Sequence, residues 1–434
     1  MSAIRSRRAH RRLIALLAIP PLLAACGQPA ALSRLVQQVQ AEQSTSASST
    51  AVTRTPTGAP VPARAVDPID PPDTGTQAPD TDTDTAAQSP DTEPPSNPEP
   101  PSNPEPPSDP KPSPDAEPPW APTTGITISF AGDVNFAERT ADRLAADPTT
   151  VFGAAAPGLA AADLTVVNLE TAITTGGTAE PKSFTFRAPP SALGALRSAG
   201  VDVASMANNH GADYGELGLR DTLAAIAATG FPVIGIGADD AAAMAPYRGT
   251  IKGVDVAIFA ASQVPDHTLQ SWTATADRPG IASAFDPRLL DNVRAAAAAG
   301  TTVIVFLHWG TEYDSCPDGN QEQLAAALAA AGATAVVGAH AHVLQGAGWR
   351  PDGVYVAYGL SNYLWWRSFG NEQDDNGVLT LNIDGKRVIG DHFAPSMLDD
   401  EGVPVPATGS QADRINDEWT QVRRCTDLSD VPPT

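Results

Sequence analysis

The sequence predicts an α/β domain over residues 124–395, and three observations carry the prediction. Short apolar runs rich in β-branched residues recur along this stretch: "ITISFAG", "LTVVNLE", "VDVASMANNH", "FPVIGIGA", "VDVAIFAAS", "TVIVFLHWG", "TAVVGAHAHV" and "VYVAYGLSNYL". Alanine-rich amphipathic segments lie between most of them. Several of those segments end in glycine, which the left-handed C-cap of a helix favours. Strands alternating with helices of this length indicate an α/β domain, and continuous apolar strands indicate a sheet covered on both faces.

Taken in order, "ITISFAG" opens the domain where the proline-rich composition stops, and "LTVVNLE" follows it. Four helix-to-strand steps then read as repeats of one device. "SALGALRSAG" leads into "VDVAS", "LRDTLAAIAATG" into "FPVIGIGA", "RLLDNVRAAAAAG" into "TVIVFLHWG", and "NQEQLAAALAAAG" into "TAVVGAHAHV". In "GVLTLNIDGKRVIGDHF", Asp384-Gly385 stands between two alternating runs, a hairpin signal that adds antiparallel strands late in the sheet. Residues 396–434 read as a polar C-terminal tail, partly packed on the domain through Trp419.

Upstream, "MSAIRSRRAHRRLIALLAIPPLLAACGQ" has a basic region followed by an apolar stretch too short to span a bilayer, the pattern of an export signal over residues 1–26. It closes on Leu23, Ala24, Ala25 and Cys26, which resembles the lipobox of bacterial lipoproteins and implies lipidation of Cys26 and anchoring in the cell membrane, on its extracytoplasmic face. Residues 27–123 are Ser, Thr, Pro, Asp and Ala with few large apolar residues, too few to offset chain entropy, so a disordered spacer is expected. An exported chain meets an oxidising environment, and the two remaining cysteines, Cys316 and Cys425, are expected to pair. The formal charge of -23 at pH 7 argues against nucleic acid as a partner, because phosphate-backbone binding needs clustered Lys and Arg.

One strand after another ends in a residue competent for metal or acid-base chemistry: Asp133, Glu170, the Asn208-Asn209-His210 run, His308, and the pair His340 and His342. Ligands of open α/β sheets bind at the carboxyl ends of the strands, so these residues are expected to meet along one edge. His340 and His342, two residues apart, would project to one face of an extended backbone. Carboxylates, an amide oxygen and histidines without thiolates suit Mn, Fe or Zn, as one or two divalent ions. Paired ions of this kind activate water and stabilise attacking and leaving oxygens, most commonly in phosphoester cleavage.

The ordered motifs "FAGDVNF", "ADLTVVNLETAI", "FTFRAPPSALGALRSAGVDVASMANNHGADYGELGLRDTL", "GIGADDAAA", "RPGIA", "VIVFLHWGTEYDSCP", "AVVGAHAHVLQG" and "YGLSNYLW" resemble the CapA family of bacterial capsule and poly-γ-glutamate synthesis proteins, from about Ile126 to His392. The resemblance implies a calcineurin-like metallophosphoesterase sandwich, mixed sheets flanked by helices. It implies metal ligation by Asp133, Glu170, Asn209, His308, His340 and His342, with Glu170 bridging. His210 matches the histidine that orients substrate or protonates the leaving group, and Asp213 and Glu312 match positions that orient the histidines. Related phosphoesterases carry a histidine two residues after the first aspartate, where this chain has Asn135. The family's usual proline between the last two histidines is Ala341.

The resulting expectation is a surface-anchored, metal-dependent hydrolase acting on an anionic envelope polymer or its phosphorylated precursor, working with other capsule-synthesis membrane proteins. Lys182, Arg187 and Arg220 are the cations expected to contact an anionic substrate. Two alternatives stand beside it: hydrolysis or transfer at a γ-glutamyl amide, since activated water attacks carbonyls too, and a non-catalytic assembly factor that keeps the scaffold for binding.

Overall fold

The computed structural model describes residues 124–434; the expected signal, Cys26 and the spacer through residue 123 lie outside the described residues. Two mixed sheets form the framework. The first runs Pro404–Pro406, Arg387–Leu398, Asp375–Asp384, Ile126–Val134, Leu164–Leu169, Val203–Ser205, Val233–Ile234, with Asn362–Leu364 added in parallel to the end of Ile126–Val134. The second runs Ala347–Trp349, Tyr355–Ala357, Ala335–Ala339, Thr302–His308, Val254–Ser262, Tyr247–Ile251. Leu164–Leu169, Val203–Ser205, Val233–Ile234, Thr302–His308 and Ala335–Ala339, each preceded by a helix, pair in parallel with their neighbours.

Side-chain alternation decides what each face of the second sheet buries. In Thr302–His308, Ile304 and Phe306 join a core shared with the first sheet, whereas Val303, Val305 and Leu307 pack beneath the helices Arg288–Ala298 and Gly319–Ala331. Phe306 stacks on Phe130 of the first sheet with ring centroids 6.1 Å apart, so the two sheets share one core. By the same two-residue period His308 continues the face of Ile304 and Phe306, and therefore points toward the first sheet. The helices Ser191–Ser198 and Gly215–Thr229 bury Leu193, Leu196 and Leu219 in that same core.

Gly230 and Gly332 close their helices at φ 59° and 99°, as expected of C-caps. The hairpin at Asp384-Gly385 forms, with Asp384 opposite Arg387. The far end of the domain differs from expectation. The anticipated boundary at residue 395 falls inside the strand Arg387–Leu398, Pro404–Pro406 pairs onto that strand, and the helix Gly409–Val422 packs against it. The helix buries only Ile415, Trp419 and Val422, whose i, i+4, i+7 spacing makes one narrow stripe, and Trp419 lies 4.2 Å from Phe393, nearly parallel to it. So few apolar residues read as a tail, yet they suffice once a sheet face is there to meet them. Cys316 and Cys425 are joined by a disulfide, with Cα atoms 5.4 Å apart.

Candidate metal centre

The carboxyl ends of strands from both sheets converge on one rim. Asp133 arrives through an irregularity. Ile128 and Phe130 point between the sheets, so strict alternation would turn Asp133 away; the register shift between Ala131 and Asp133 restores it to the shared face. Gly132 permits this, because a Cβ there would lie 1.8 Å from the Ser361 carbonyl oxygen, to which the Asp133 N–H donates at 3.0 Å. Glu170 directly follows Leu164–Leu169, and its N–H donates to the Val134 carbonyl at 2.8 Å, tying the two strand ends together.

His340 and His342 do not sit on extended backbone. Their strand ends at Ala339, and both adopt positive φ, 102° and 56°. Tyr313 and Ser361, at 65° and 61°, share this trait. Four non-glycine residues in a sparsely populated region, each costing about 1–3 kcal/mol, collect around one site, as strained backbone does where function needs it. The turn is fastened by the Tyr313 N–H, which donates to the Ala341 carbonyl at 2.7 Å.

Two groups of ligand atoms result. Asp133, Glu170 and His308 form one, all buried; Glu312, His340 and His342 form the other, and within each the atoms lie within 4.8 Å of one another. Glu312, expected to orient histidines, thus stands among candidate ligands itself. The Asp133 carboxylate links the groups: it accepts from Asn168 Nδ2 at 2.8 Å and the His340 N–H at 3.3 Å, and lies 3.3 Å from His342 Nδ1. Asn209 places its amide oxygen 2.8 Å from His308 Nε2, on the rim where the sequence put it.

A divalent cation fits these residues. Glu170 Oε1, His340 Nδ1 and Asn135 Oδ1 are buried without a hydrogen-bond partner, a costly state for donors and acceptors that a bound cation would relieve. Burial, and then the charge of Asp133, push the Glu170 carboxyl well above the usual carboxylate range. Burial, with His342 adding to it, pulls His340 down to about 3, and burial with His340 pulls His308 well below its usual value; neutral imidazoles have the lone pairs that metals need. His342 shifts upward, because although burial lowers it, the hydrogen bond and charge of Asp133 outweigh that. Both candidate groups exist although Asn135 replaces a histidine; its Nδ2 donates to the Glu170 carbonyl at 3.0 Å.

His210 stands beside the groups, not in either. Its Nδ1 donates to Asp213 Oδ2 at 2.6 Å, which leaves Nε2 facing Glu170 Oε1 at 3.8 Å. Asp213 also accepts from the Phe186 N–H at 2.7 Å and from Lys182 Nζ at 2.6 Å. Burial, more than Asp213 offsets, lowers His210, so it is neutral near pH 7.

The three cations expected to meet substrate have other partners. Lys182 spends its ammonium on Asp213, the Asn209 carbonyl and Thr268, behind His210. Arg187 lies over the Tyr214 ring at 4.7 Å, and Arg220 pairs with Glu216 on an exposed helix face. Sequence reasoning also passed over Asn168, whose amide bridges Asp133 and Glu170, and Asn362, whose Oδ1 accepts from His342 Nδ1 at 2.8 Å. The signal for Asn168 was present, since it precedes Glu170 by two residues and so shares its face. The cleft over the rim is lined by Phe186, His210, Glu312, Tyr313, His342, Trp365 and Trp366, with Phe184, Arg367 and Phe369 at its mouth.

An α/β sandwich that gathers two carboxylate-histidine clusters at the ends of its strands is an arrangement consistent with one or two divalent ions. The chain belongs to the bacterial capsule synthesis protein family PGA_cap, whose model matches residues 127–365. It is 28% identical over 260 residues to the PGA biosynthesis protein CapA of Bacillus subtilis, covering 57% of this chain and 66% of that one. It is 31% identical over 202 residues to the capsule biosynthesis protein CapA of Bacillus anthracis, covering 44% and 48%. The chain thus spans less than two thirds of either relative. Among solved structures, the NAD nucleotidase of Haemophilus influenzae aligns at TM-score 0.37 and 12% identity over 71% of this chain and 65% of that one, a likeness too distant to bear on function. No helix among the described residues is long and apolar enough to cross a membrane.

Proposed function

We propose that this protein is a metal-dependent hydrolase of phosphoester or related bonds, anchored through Cys26 on the extracytoplasmic face and serving the synthesis of an anionic envelope polymer. The observation that carries the hydrolytic reading is the pair of ligand groups meeting at Asp133, with Glu170 and His340 each presenting a buried, unpartnered atom. The two Bacillus relatives, a PGA biosynthesis protein and a capsule biosynthesis protein, support the polymer context.

Asp133, Glu170, Asn209, His308, His340, His342 and Glu312 would hold one or two ions. Bound divalent metal supplies Lewis-acid activation of water and charge neutralisation at the scissile group. The protein's own part is orientation and proton handling. Asp213 keeps the His210 proton on Nδ1, so that Nε2 faces the rim and is available to exchange a proton with an attacking or leaving oxygen. Lys182 pairs with Asp213 at 2.6 Å and fixes its position, and Phe186, 4.4 Å from the His210 ring, restricts water around it.

The test is elemental analysis of the full chain prepared without chelators, beside a His340→Ala/His342→Ala double variant and Glu170→Ala. Metal in the wild type, lost in the variants together with turnover of bis(p-nitrophenyl) phosphate, is the expected result. A wild type that takes up none of Mn, Fe or Zn on reconstitution would overturn the reading and leave a scaffold retained for binding.

A further inference from the structure

We propose that Arg367, held in an aromatic frame at the mouth of the cleft, is the residue that selects an oxyanion-bearing chain as substrate. The proposal rests on the hydrolase site described above and adds to it the determinant of substrate class.

The surroundings of Arg367 are built for this. Its guanidinium lies 4.4 Å from the Trp366 ring centre and 4.5 Å from that of Phe369, within cation–π reach of both rings, which hold it in place. It makes no ion pair and no hydrogen bond with any described residue, in a chain where acidic residues outnumber basic ones 50 to 27. The loop that carries it is preorganised by Asp374, a buried carboxylate that accepts from the Phe369 N–H at 2.8 Å, the Gly370 N–H at 2.6 Å and the Ser368 hydroxyl at 2.8 Å.

Arg367 lines two adjoining concavities. One leads to His210, Glu312 and His342; the other continues outward past Tyr313, Val343, Glu372 and Gln373. A chain passing from the second to the first would cross the guanidinium. Phe184, 55% exposed, and Trp366, 6.3 Å from it, flank the passage with apolar surface suited to a hydrocarbon stem between anionic groups. An arginine fork binds carboxylate and phosphate alike, so the shared chemistry is a repeated oxyanion.

Isothermal titration of the full, metal-loaded chain with polyglutamate, with polyphosphate and with neutral dextran tests this. Binding of one polyanion and not dextran, weakened about tenfold or more in Arg367→Gln and only partly restored in Arg367→Lys, which keeps the charge but not the fork, is expected, and the stronger ligand identifies the oxyanion. The His340→Ala/His342→Ala variant should retain most of that binding, which separates this subsite from the metal reading: loss of turnover with retained binding leaves the proposal standing. Arg367→Gln binding as tightly as wild type, no polyanion binding by the wild type, or equal binding of dextran would each overturn it.

Discussion

Replacing both Cys316 and Cys425 by alanine removes a cross-link between residues 109 apart in sequence. The chain-entropy relation for a loop of that length gives about 4.8 kcal/mol at 25 °C, an effect exerted mainly on the unfolded state. The loss should therefore fall at about 3–5 kcal/mol. In the folded state the two ends are held independently. Gln345 Nε2 donates to the Asp314 carbonyl at 2.7 Å and to the Cys316 carbonyl at 3.3 Å, while Gln345 Oε1 accepts from Gln321 Nε2 at 2.9 Å, which fastens the loop carrying Glu312 and Tyr313. On the other side Ile415, Trp419 and Val422 seat the last helix. The double variant should thus unfold at lower denaturant, with a larger m-value from a more expanded unfolded chain, while its metal content stays that of the wild type. Urea unfolding followed by tryptophan fluorescence, with elemental analysis alongside, measures both. A loss under about 1 kcal/mol, or metal released from the folded variant, would refute the reasoning.

Three further outcomes follow from the same geometry. Asp213→Asn removes the carboxylate that keeps the His210 proton on Nδ1, and kcat toward bis(p-nitrophenyl) phosphate should fall about 10- to 100-fold with metal content unchanged; an unaltered kcat would remove His210 from proton handling. Gly132→Ala drives a Cβ against the Ser361 carbonyl, so stability should fall by about 1–3 kcal/mol and metal content should drop as Asp133 shifts, both readable from unfolding curves and elemental analysis. Burial, then the neighbouring Asp375, push Glu418 up to about 8, so the folded state keeps a proton that the unfolded chain releases near its ordinary value; stability should decline as pH rises from 5 to 8, and Glu418→Gln should flatten that decline in pH-dependent melting curves.

Local chemistry determined much of this protein. Apolar runs and glycine-capped amphipathic segments specify strands and helices within a few residues of one another, and that alternation points to an α/β framework with parallel central strands and ligands at their ends. Asp133, Glu170, His308, His340 and His342 were visible for the same reason, since each terminates a run whose direction is legible. What lay beyond the sequence depended on neighbours distant along the chain. The bulge at Gly132 has meaning only once Ser361 arrives beside it. The positive φ of His340 and His342 follows from a turn tied to Tyr313, not from their spacing. Lys182 looked like a free cation until the fold set it against Asp213, whereas Arg367 stood unremarked in "WWRSFG" until the Asp374 loop brought it to the cleft. Charge by itself does not say whether a side chain faces a partner or a ligand; burial and pairing decide that, and both belong to the tertiary structure.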